Sequence, residues 1–336
     1  MSCAAGRRLS LIALCLAVVL TACGGNVAPA SPSTTGAAAP EVTHVKLSYG
    51  TLDGTETFVR VAAEKGLFQK YGLSADASYA ETTASIASLA SGEVQFAITG
   101  GPDVIGAIAS GARLKIIAVF NRLSPYVIIG LPDIKQPSDL RGKTAAIAKV
   151  GDTSDVAMRI GLKLMGLEAN KDVRLLQVGG SAARFAALTS QQVQGAVVDS
   201  NFVKRAEAQG MHVLVDMTKS PYAAGALSAQ QDFLTASPNT TLAVLRGLVD
   251  GLKYFTDEKN KPEMLAAIAK DAKLERNDPQ LAEIWDGMRA RGTDASPSKE
   301  GVQSILDAER GIDAAHFGSL TTEQIIDPSF AAKLGS

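Results

Sequence analysis

From residue 44 onward, short apolar runs alternate with segments whose apolar residues recur every three or four positions. The runs predict buried β-strands, and the periodic segments predict amphipathic helices. The predicted strands are residues 44–49, 73–79, 94–98, 114–120, 144–148, 173–177, 194–198 and 211–215. The predicted helices between them are residues 57–65, 82–90, a helix opened by Pro102, 154–165, 182–188 and 201–209. This alternation predicts an α/β fold with parallel sheets covered by helices.

The pattern changes after Ser237, where strands give way to helices. The first of these helices carries Leu242, Leu245, Leu248 and Leu252 on one side, a stripe typical of a helix packed into a core. Further helices are predicted from Pro262, Pro279 and Pro297. The last hundred residues therefore form a helical C-terminal block.

The α/β part contains a sparse internal repeat. Residues 79–117 align without gaps with the chain from Val178 onward, so that Leu89 meets Leu188 and Ala97 meets Ala196. Both copies have the predicted order helix, strand, helix, strand. The repeat predicts two similar lobes, each with its own sheet, facing each other across a cleft.

The start of the chain has a different character. Arg7 and Arg8 precede an apolar run over residues 11–20, and the segment Leu-Thr-Ala leads to Cys23. A basic start, a short apolar stretch and small residues before a cut site are typical of a secretory signal. The cysteine after them resembles the bacterial lipoprotein signal. We therefore expect a signal peptide at residues 1–22 and a lipid on Cys23. A flexible tether over residues 23–41, uncharged from Gly24 to Pro40, would hold the protein on a membrane outside the cytoplasm.

Composition excludes several classes of function. The formal net charge is −1, and no basic patch favours nucleic acid as a partner. The cysteines are Cys3, Cys15 and Cys23, so nothing after the expected anchor offers thiol chemistry or a disulfide. Three scattered histidines match no zinc spacing, and the chain has no catalytic or nucleotide-binding motif. We expect a protein that is not an enzyme and needs no metal or cofactor.

Small polar residues and glycines follow the predicted strands, most of them just before a helix. In open parallel sheets, ligands bind beyond the carboxyl ends of the strands, and helix N-termini offer unpaired N–H groups. The candidate ligand-binding residues are Thr51, Asp53, Thr82, Thr83, Thr99, Gly100, Gly101, Asp152, Thr153, Ser154, Gly180, Ser181 and Asp199.

Helix capping is the alternative explanation for each of these residues, because Ser, Thr and Asp are preferred N-caps in any helix. The acidic residues Glu81, Asp152 and Asp199 also complicate a simple anion site. Each carboxylate either receives an amine or ring N–H of a ligand, or caps a helix and never faces the cleft.

Three groups of residues carry a family resemblance. They are AEKGLF at residues 63–68 with YGL at 71–73, LASGEVQFA at 89–97, and GGS at 179–181 followed by VD at 198–199. Over about residues 43–260 the chain resembles the substrate-binding proteins of ABC importers for nitrate, sulfonates, taurine and related solutes, which share a fold with thiamine-pyrimidine binding proteins. The turn Gly151-Asp152-Thr153-Ser154 departs from the Gly-Ser turn common there, and an extra carboxylate in the pocket would disfavour nitrate or a sulfonate.

The resemblance implies a type II periplasmic-binding-protein-like clamp. Lobe 1 would comprise residues 42–122 and 226–336, and lobe 2 residues 129–220. We expect a monomer that closes on a small organic or oxyanionic solute and delivers it to an ABC permease in the membrane. The alternatives are an envelope lipoprotein that senses a ligand and signals to a partner, and an enzyme like the thiamine-pyrimidine synthase, whose cysteine-rich motif this chain lacks.

Overall fold

The computed structural model describes residues 38–334, which belong to one compact unit. Its strands are β1 His44–Tyr49, β2 Ser74–Tyr79, β3 Phe96–Thr99, β4 Leu114–Leu123, β5 Tyr126–Gly130, β6 Thr144–Ile147, β7 Arg174–Gln177, β8 Gly195–Asp199, β9 His212–Asp216 and β10 Pro221–Gln230. The helices of the α/β part are α1 Thr57–Glu64, α2 Thr82–Ser91, α3 Gly101–Ala109, α4 Thr153–Leu164, α5 Ser181–Thr189 and α6 Val203–Glu207. The C-terminal helices are α7 Gln231–Ala236, α8 Pro238–Thr256, α9 Lys261–Ala272, α10 Gln280–Ala290, α11 Lys299–Ile312, α12 Ala314–Phe317 and α13 Thr322–Ile325.

The strands form two five-stranded sheets of equivalent order. The first sheet runs β2-β1-β3-β10-β4, and the second runs β7-β6-β8-β5-β9. The segments aligned in the internal repeat occupy matching places, since α2-β3-α3-β4 corresponds to α5-β8-α6-β9. The two-lobed α/β clamp expected from the sequence is confirmed. We call the half built on the first sheet lobe 1 and the half built on the second sheet lobe 2; their exact boundaries stay a prediction.

The expectation of parallel sheets is wrong in one respect, because each sheet contains one antiparallel strand. β10 pairs antiparallel with β3 and β4, and β5 pairs antiparallel with β8 and β9. These are the strands that follow the two passages of the chain between the sheets. The passages lie side by side, joined by the bond from the Ser124 N–H to the Ser220 carbonyl at 3.1 Å.

The C-terminal helices belong to lobe 1. The apolar side of α8 lies in the same core as β1 and α1, and α11 packs on β10. Trp285 of α10 is fully buried, and its indole N–H donates to the Phe255 carbonyl at 2.8 Å. None of the helices in residues 38–334 is long and apolar enough to cross a membrane.

Helix α4 connects the hydrophobic cores of the two lobes. Ala157, Met158 and Leu162 lie in the core of lobe 2, whereas Val156 is fully buried in a core of lobe 1 beside α3, β10 and α11. Ile160 packs against both cores. The N-terminus of α4 is therefore fixed to both halves of the molecule.

The folded unit begins just before the expected start at residue 42. The Glu41 carboxylate accepts bonds from the N–H groups of Asn239 and Thr240, at 3.0 and 2.7 Å, at the start of α8. The expected signal peptide, Cys23 and the tether as far as residue 37 lie outside the described residues.

Candidate functional site

A cavity of about 190 Å³ lies between the two sheets and is lined from both lobes. Its walls come from the carboxyl ends of β1, β3 and β8, from the chain around the two passages, and from α10. Strand ends of two sheets that meet at one cleft are the arrangement expected for a ligand site in this fold class.

Six of the thirteen candidate residues line this cavity. Lobe 1 contributes Thr51, Asp53, Thr82 and Gly100, and lobe 2 contributes Thr153 and Asp199. They come from five different loops, and the structure brings them together as the strand-end argument requires. Whether they bind a ligand remains a prediction.

The other seven candidates lie outside the cavity lining. They are Thr83, Thr99, Gly101, Asp152, Ser154, Gly180 and Ser181. Asp152 caps α4, because its Oδ1 accepts hydrogen bonds from the N–H groups of Ser154 and Asp155 at 2.9 and 3.0 Å. Glu81 likewise caps α2 by accepting the Thr83 N–H at 3.0 Å. Of the three acidic residues in question, only Asp199 lines the cavity.

Ser181 and Gly101 also serve the framework. The Ser181 hydroxyl accepts from Arg184 Nη2 at 2.7 Å and from the Asp199 N–H at 3.3 Å, so it positions the end of β8. A Cβ on Gly101 would lie 2.7 Å from the Ala223 carbonyl oxygen, so this glycine lets α3 approach β10 closely. Thr99 is fully buried, and its hydroxyl has no hydrogen-bond partner within residues 38–334.

Glu56 is a cavity residue that the sequence analysis did not identify. Its Oε2 accepts the N–H groups of Gly50 and Thr51, both at 2.9 Å, and the residue is 4% exposed. Burial, and then the charge of Asp53, raise the pKa of the Glu56 carboxyl to about 8. Glu56 stands at the N-cap of α1, where acidic residues are common, so the sequence offered little reason to single it out.

Asp103 was also missed, and it connects the two lobes. Thr153 Oγ1 of lobe 2 donates to Asp103 Oδ2 of lobe 1 at 3.2 Å. The Tyr222 hydroxyl donates to the Thr153 carbonyl at 3.0 Å and holds the start of α4 in place. Burial, and then the charge of Asp152, raise the pKa of Asp103 to about 7.

Arg291, at the end of α10, is the third residue that the sequence analysis missed, because the C-terminal block was interpreted as core. It lines the cavity, and the charges of Asp53 and Asp199 act on its guanidinium group. Burial nevertheless lowers the pKa of Arg291, and burial followed by the charge of Asp53 raises the pKa of Asp199. At the edge of the cavity, Lys204 Nζ of α6 contacts Glu283 Oε1 of α10 at 2.6 Å, a further contact between the lobes.

Aromatic side chains complete the cavity walls. Phe58 and Phe120 line it as an edge-to-face pair with ring centroids 5.1 Å apart, and Tyr126 lies in the wall near the first passage. The site thus combines aromatic surfaces with polar groups supplied by both lobes. Within residues 38–334, no group of three or more His, Cys, Asp or Glu side chains is arranged to hold a metal ion.

Solved structures with the same fold include two solute-binding proteins. The periplasmic aliphatic sulphonate binding protein of Escherichia coli superposes with a TM-score of 0.70 at 20% identity, covering 86% of this chain and 93% of that one. The periplasmic nitrate-binding protein of Synechocystis PCC 6803 gives a TM-score of 0.69 at 16% identity, covering 89% of both chains. At these identities the likeness is one of fold.

Sequence relatives point the same way. Proteins of Brucella abortus (strain 2308) and Brucella suis biovar 1 that are named as binding proteins are 28% identical over 137 residues. The match covers 40% of this chain and 41% of each relative, so it spans less than half of their length. The family model described as NMT1/THI5 like matches residues 55–261, which is more than half of the chain. The chain therefore belongs to the NMT1/THI5-like family.

Proposed function

We propose that this protein is the solute-binding component of an ABC importer. It captures a small solute between its lobes and delivers the closed complex to a membrane permease. The observation that carries the proposal is the cavity lined from both lobes, with Thr153 of lobe 2 bonded to Asp103 of lobe 1. A ligand that contacts both lobes only when they are together stabilises the closed state, which is the signal a permease needs.

Family and fold support this function. The structural neighbours named above bind nitrate or aliphatic sulphonates, and the Brucella relatives are named as binding proteins. The proposed role requires no chemistry on the solute, no metal and no cofactor. We propose that the protein acts as a monomer, which light scattering coupled to size exclusion tests directly.

A thermal-shift screen of small solutes tests the function. A solute present at 100 times its Kd stabilises the folded state by about 2.7 kcal/mol, which corresponds to a rise in Tm of about 4 °C for a protein of this size. Small-angle scattering of the hit should show a more compact particle, and the recovered solute should be unchanged. The function would be refuted if no solute raised Tm, or if the bound molecule were converted to a product.

We also propose that lipid on Cys23 holds the protein on the outer side of a membrane. The variant Cys23→Ser should move from the membrane fraction to the soluble fraction and lose the mass of the lipid. Cys15→Ser, in the apolar run of the same signal, is the matched control and should stay with the membrane. Membrane retention of the Cys23→Ser protein would contradict the anchor.

A further inference from the structure

The cavity is rich in acidic side chains. The carboxyl groups that line it belong to Asp53, Glu56, Asp103, Asp199 and Glu283. Among residues 38–334, Arg291 is the one cationic side chain in the lining. A binding site for an oxyanion would be expected to show the opposite balance of charge.

Some of these acids have cationic neighbours. Asp53 and Asp199 both interact electrostatically with Arg291, and Glu283 forms an ion pair with Lys204. Glu56 and Asp103 form no ion pair within residues 38–334. The side of the cavity at the starts of α1 and α3 therefore carries two carboxyl groups without a compensating charge.

Glu56 presents one oxygen that the protein leaves unused. Oε2 accepts two backbone N–H groups, whereas Oε1 has no hydrogen-bond partner in the described part of the chain. The residue is 96% buried and lines the cavity, so the free oxygen is available to a ligand there and to little else. A buried carboxyl without its partner is costly, and a donor on the ligand would remove that cost.

The raised pKa values of the two carboxyls agree with this geometry. They stand at about 8 for Glu56 and about 7 for Asp103, because burial is not offset by a nearby cation. The other titratable groups near Glu56 and Asp103 supply no compensating positive charge. They are Asp53 in the loop after β1, Glu81 before α2 and Asp152 before α4, all acidic, together with Glu309 of α11 and the Tyr222 phenol of β10.

We propose that the cavity binds a small organic cation with N–H donors, whose charged group is received by Glu56 and Asp103. This inference rests on the proposed function and narrows it to a substrate class. The aromatic rings of Phe58, Phe120 and Tyr126 suit the body of such a ligand and attract a cation through their π faces. The volume of about 190 Å³ limits the ligand to a single ring or a short chain, since an engineered cavity of ~150 Å³ accommodates benzene.

The proposal predicts the direction of a pH effect. In the empty site at neutral pH, Glu56 is mostly protonated and Asp103 is about half protonated, because their pKa values are about 8 and about 7. A bound cation favours their ionised forms, so binding releases protons and becomes tighter as the pH rises. The Kd of a monocation should fall between pH 6 and pH 8 by up to about tenfold per pH unit for each proton released.

Calorimetry on the purified full chain tests the ligand class. The probes are benzylamine and benzamidine as cations, benzyl alcohol as the neutral analogue, and benzoate, nitrate and ethanesulfonate as anions. Titrations at pH 6, 7 and 8, in two buffers of different ionisation enthalpy, count the protons released. The cations should bind most tightly and release protons.

Variants identify the receiving groups. Glu56→Gln and Asp103→Asn should each weaken cation binding at least tenfold and reduce proton release. Glu300→Gln is the matched control, because Glu300 is an exposed acid in the first turn of α11. It should leave both quantities unchanged, and thermal melts of all three variants show whether they fold.

Two kinds of failure are distinct. Tighter binding of an anion or of the neutral analogue, or cation binding that ignores pH and both cavity variants, overturns the cation proposal and leaves the importer function standing. The same holds if the solute found by the screen is anionic or neutral. A protein that binds no solute of any charge refutes the importer function itself.

Discussion

Replacing Gly100 with alanine should prevent full closure of the cleft. Gly100 has φ −66° and ψ 141°, which alanine adopts without strain, so the substitution acts through its methyl group. That Cβ would lie 2.1 Å from Thr153 Oγ1 of the opposite lobe and 2.6 Å from Asp103 Oδ2. The methyl group would therefore stand inside the hydrogen bond that joins the lobes.

The cost follows from the ways in which the clash can be relieved. Ordinary carbon–oxygen contact requires Thr153 Oγ1 to move away by about 1 Å. With a cation bound, Asp103 is ionised, so a rotation of Thr153 loses a hydrogen bond to a charged acceptor, which costs about 1.5–3 kcal/mol. If the lobes separate instead, the same bond is lost along with contacts to the ligand. We expect ligand affinity to fall by about 10-fold to 150-fold.

Two measurements report the effect. Calorimetry gives the Kd of the solute found by the screen. The distance between the lobes is measured with spin labels on Glu207→Cys of α6 and Asp286→Cys of α10, two exposed positions one turn from the Lys204–Glu283 pair. Residues 38–336 contain no cysteine, so the labels are specific once Cys3, Cys15 and Cys23 are replaced by serine. The Gly100→Ala protein saturated with ligand should show a longer distance than the unsubstituted protein.

The matched control is Gly106→Ala on the same helix, where nothing lies within 4 Å of the added Cβ. It should leave affinity unchanged. Removing the clashing hydroxyl with Thr153→Ala should make Gly100→Ala nearly harmless in that background, because the two effects share one contact. Normal binding and closure of the Gly100→Ala protein, or an equal loss of affinity with and without the Thr153 side chain, would exclude the clash as the cause.

Three further predictions concern stability and closure. Glu309 is 2% exposed, and burial followed by the charge of Asp155 raises its pKa from 4.5 to about 7, so the folded state loses about 3 kcal/mol as the pH rises from about 4.5 to 7. In urea unfolding, the free energy of unfolding of Glu309→Gln should lack this pH-dependent loss, whereas the exposed control Glu300→Gln should keep it. Equal pH profiles for Glu309→Gln and the unsubstituted protein would count against the raised pKa. Gly247→Ala would place a Cβ 2.2 Å from the Phe68 ring and should cost about 1–3 kcal/mol in the same assay, and a fully stable variant would contradict the close packing of α8. Lys204→Ala removes an ion pair whose lysine is 81% exposed, so the Kd should change less than about fivefold, and a larger loss would mean that this pair holds the cleft closed.

Strand β10 is absent from the strands predicted from the sequence, and it shows where a local pattern is not informative. β10 is rich in alanine and glycine, which strands generally avoid, and its apolar pattern is weak. The structure explains the small residues by the close approach of helices to the strand. A Cβ on Gly301 of α11 would lie 2.2 Å from the Tyr222 carbonyl oxygen, and a Cβ on Gly101 of α3 would lie 2.7 Å from the Ala223 carbonyl oxygen. The composition of β10 thus records long-range packing, which a local window cannot detect.

The candidate site was predictable to the level of loops but not of side chains. Parallel strand ends share an edge, so the loops after β1 and β3 had to meet in lobe 1, and the loops after β6 and β8 in lobe 2. Within one loop, however, Asp152 caps α4 while its neighbour Thr153 lines the cavity. Both residue types are common caps, so their direction depends on backbone angles that the sequence leaves open. Arg291 enters from the C-terminal block, whose position relative to the cleft is a tertiary property.

The direction of opening follows from the unequal strength of the contacts between the lobes. On the α4 side, Val156 is fully buried in a core of lobe 1, and exposing such a side chain costs about 1.5–3 kcal/mol. On the α6–α10 side, the lobes meet through the exposed Lys204–Glu283 pair, a contact worth at most about 1 kcal/mol. The cleft should therefore open where α6 leaves α10, while α4 stays packed on lobe 1. Thr153, at the start of α4, then remains near the pivot, and Asp199, at the end of β8, makes the larger movement toward an arriving solute.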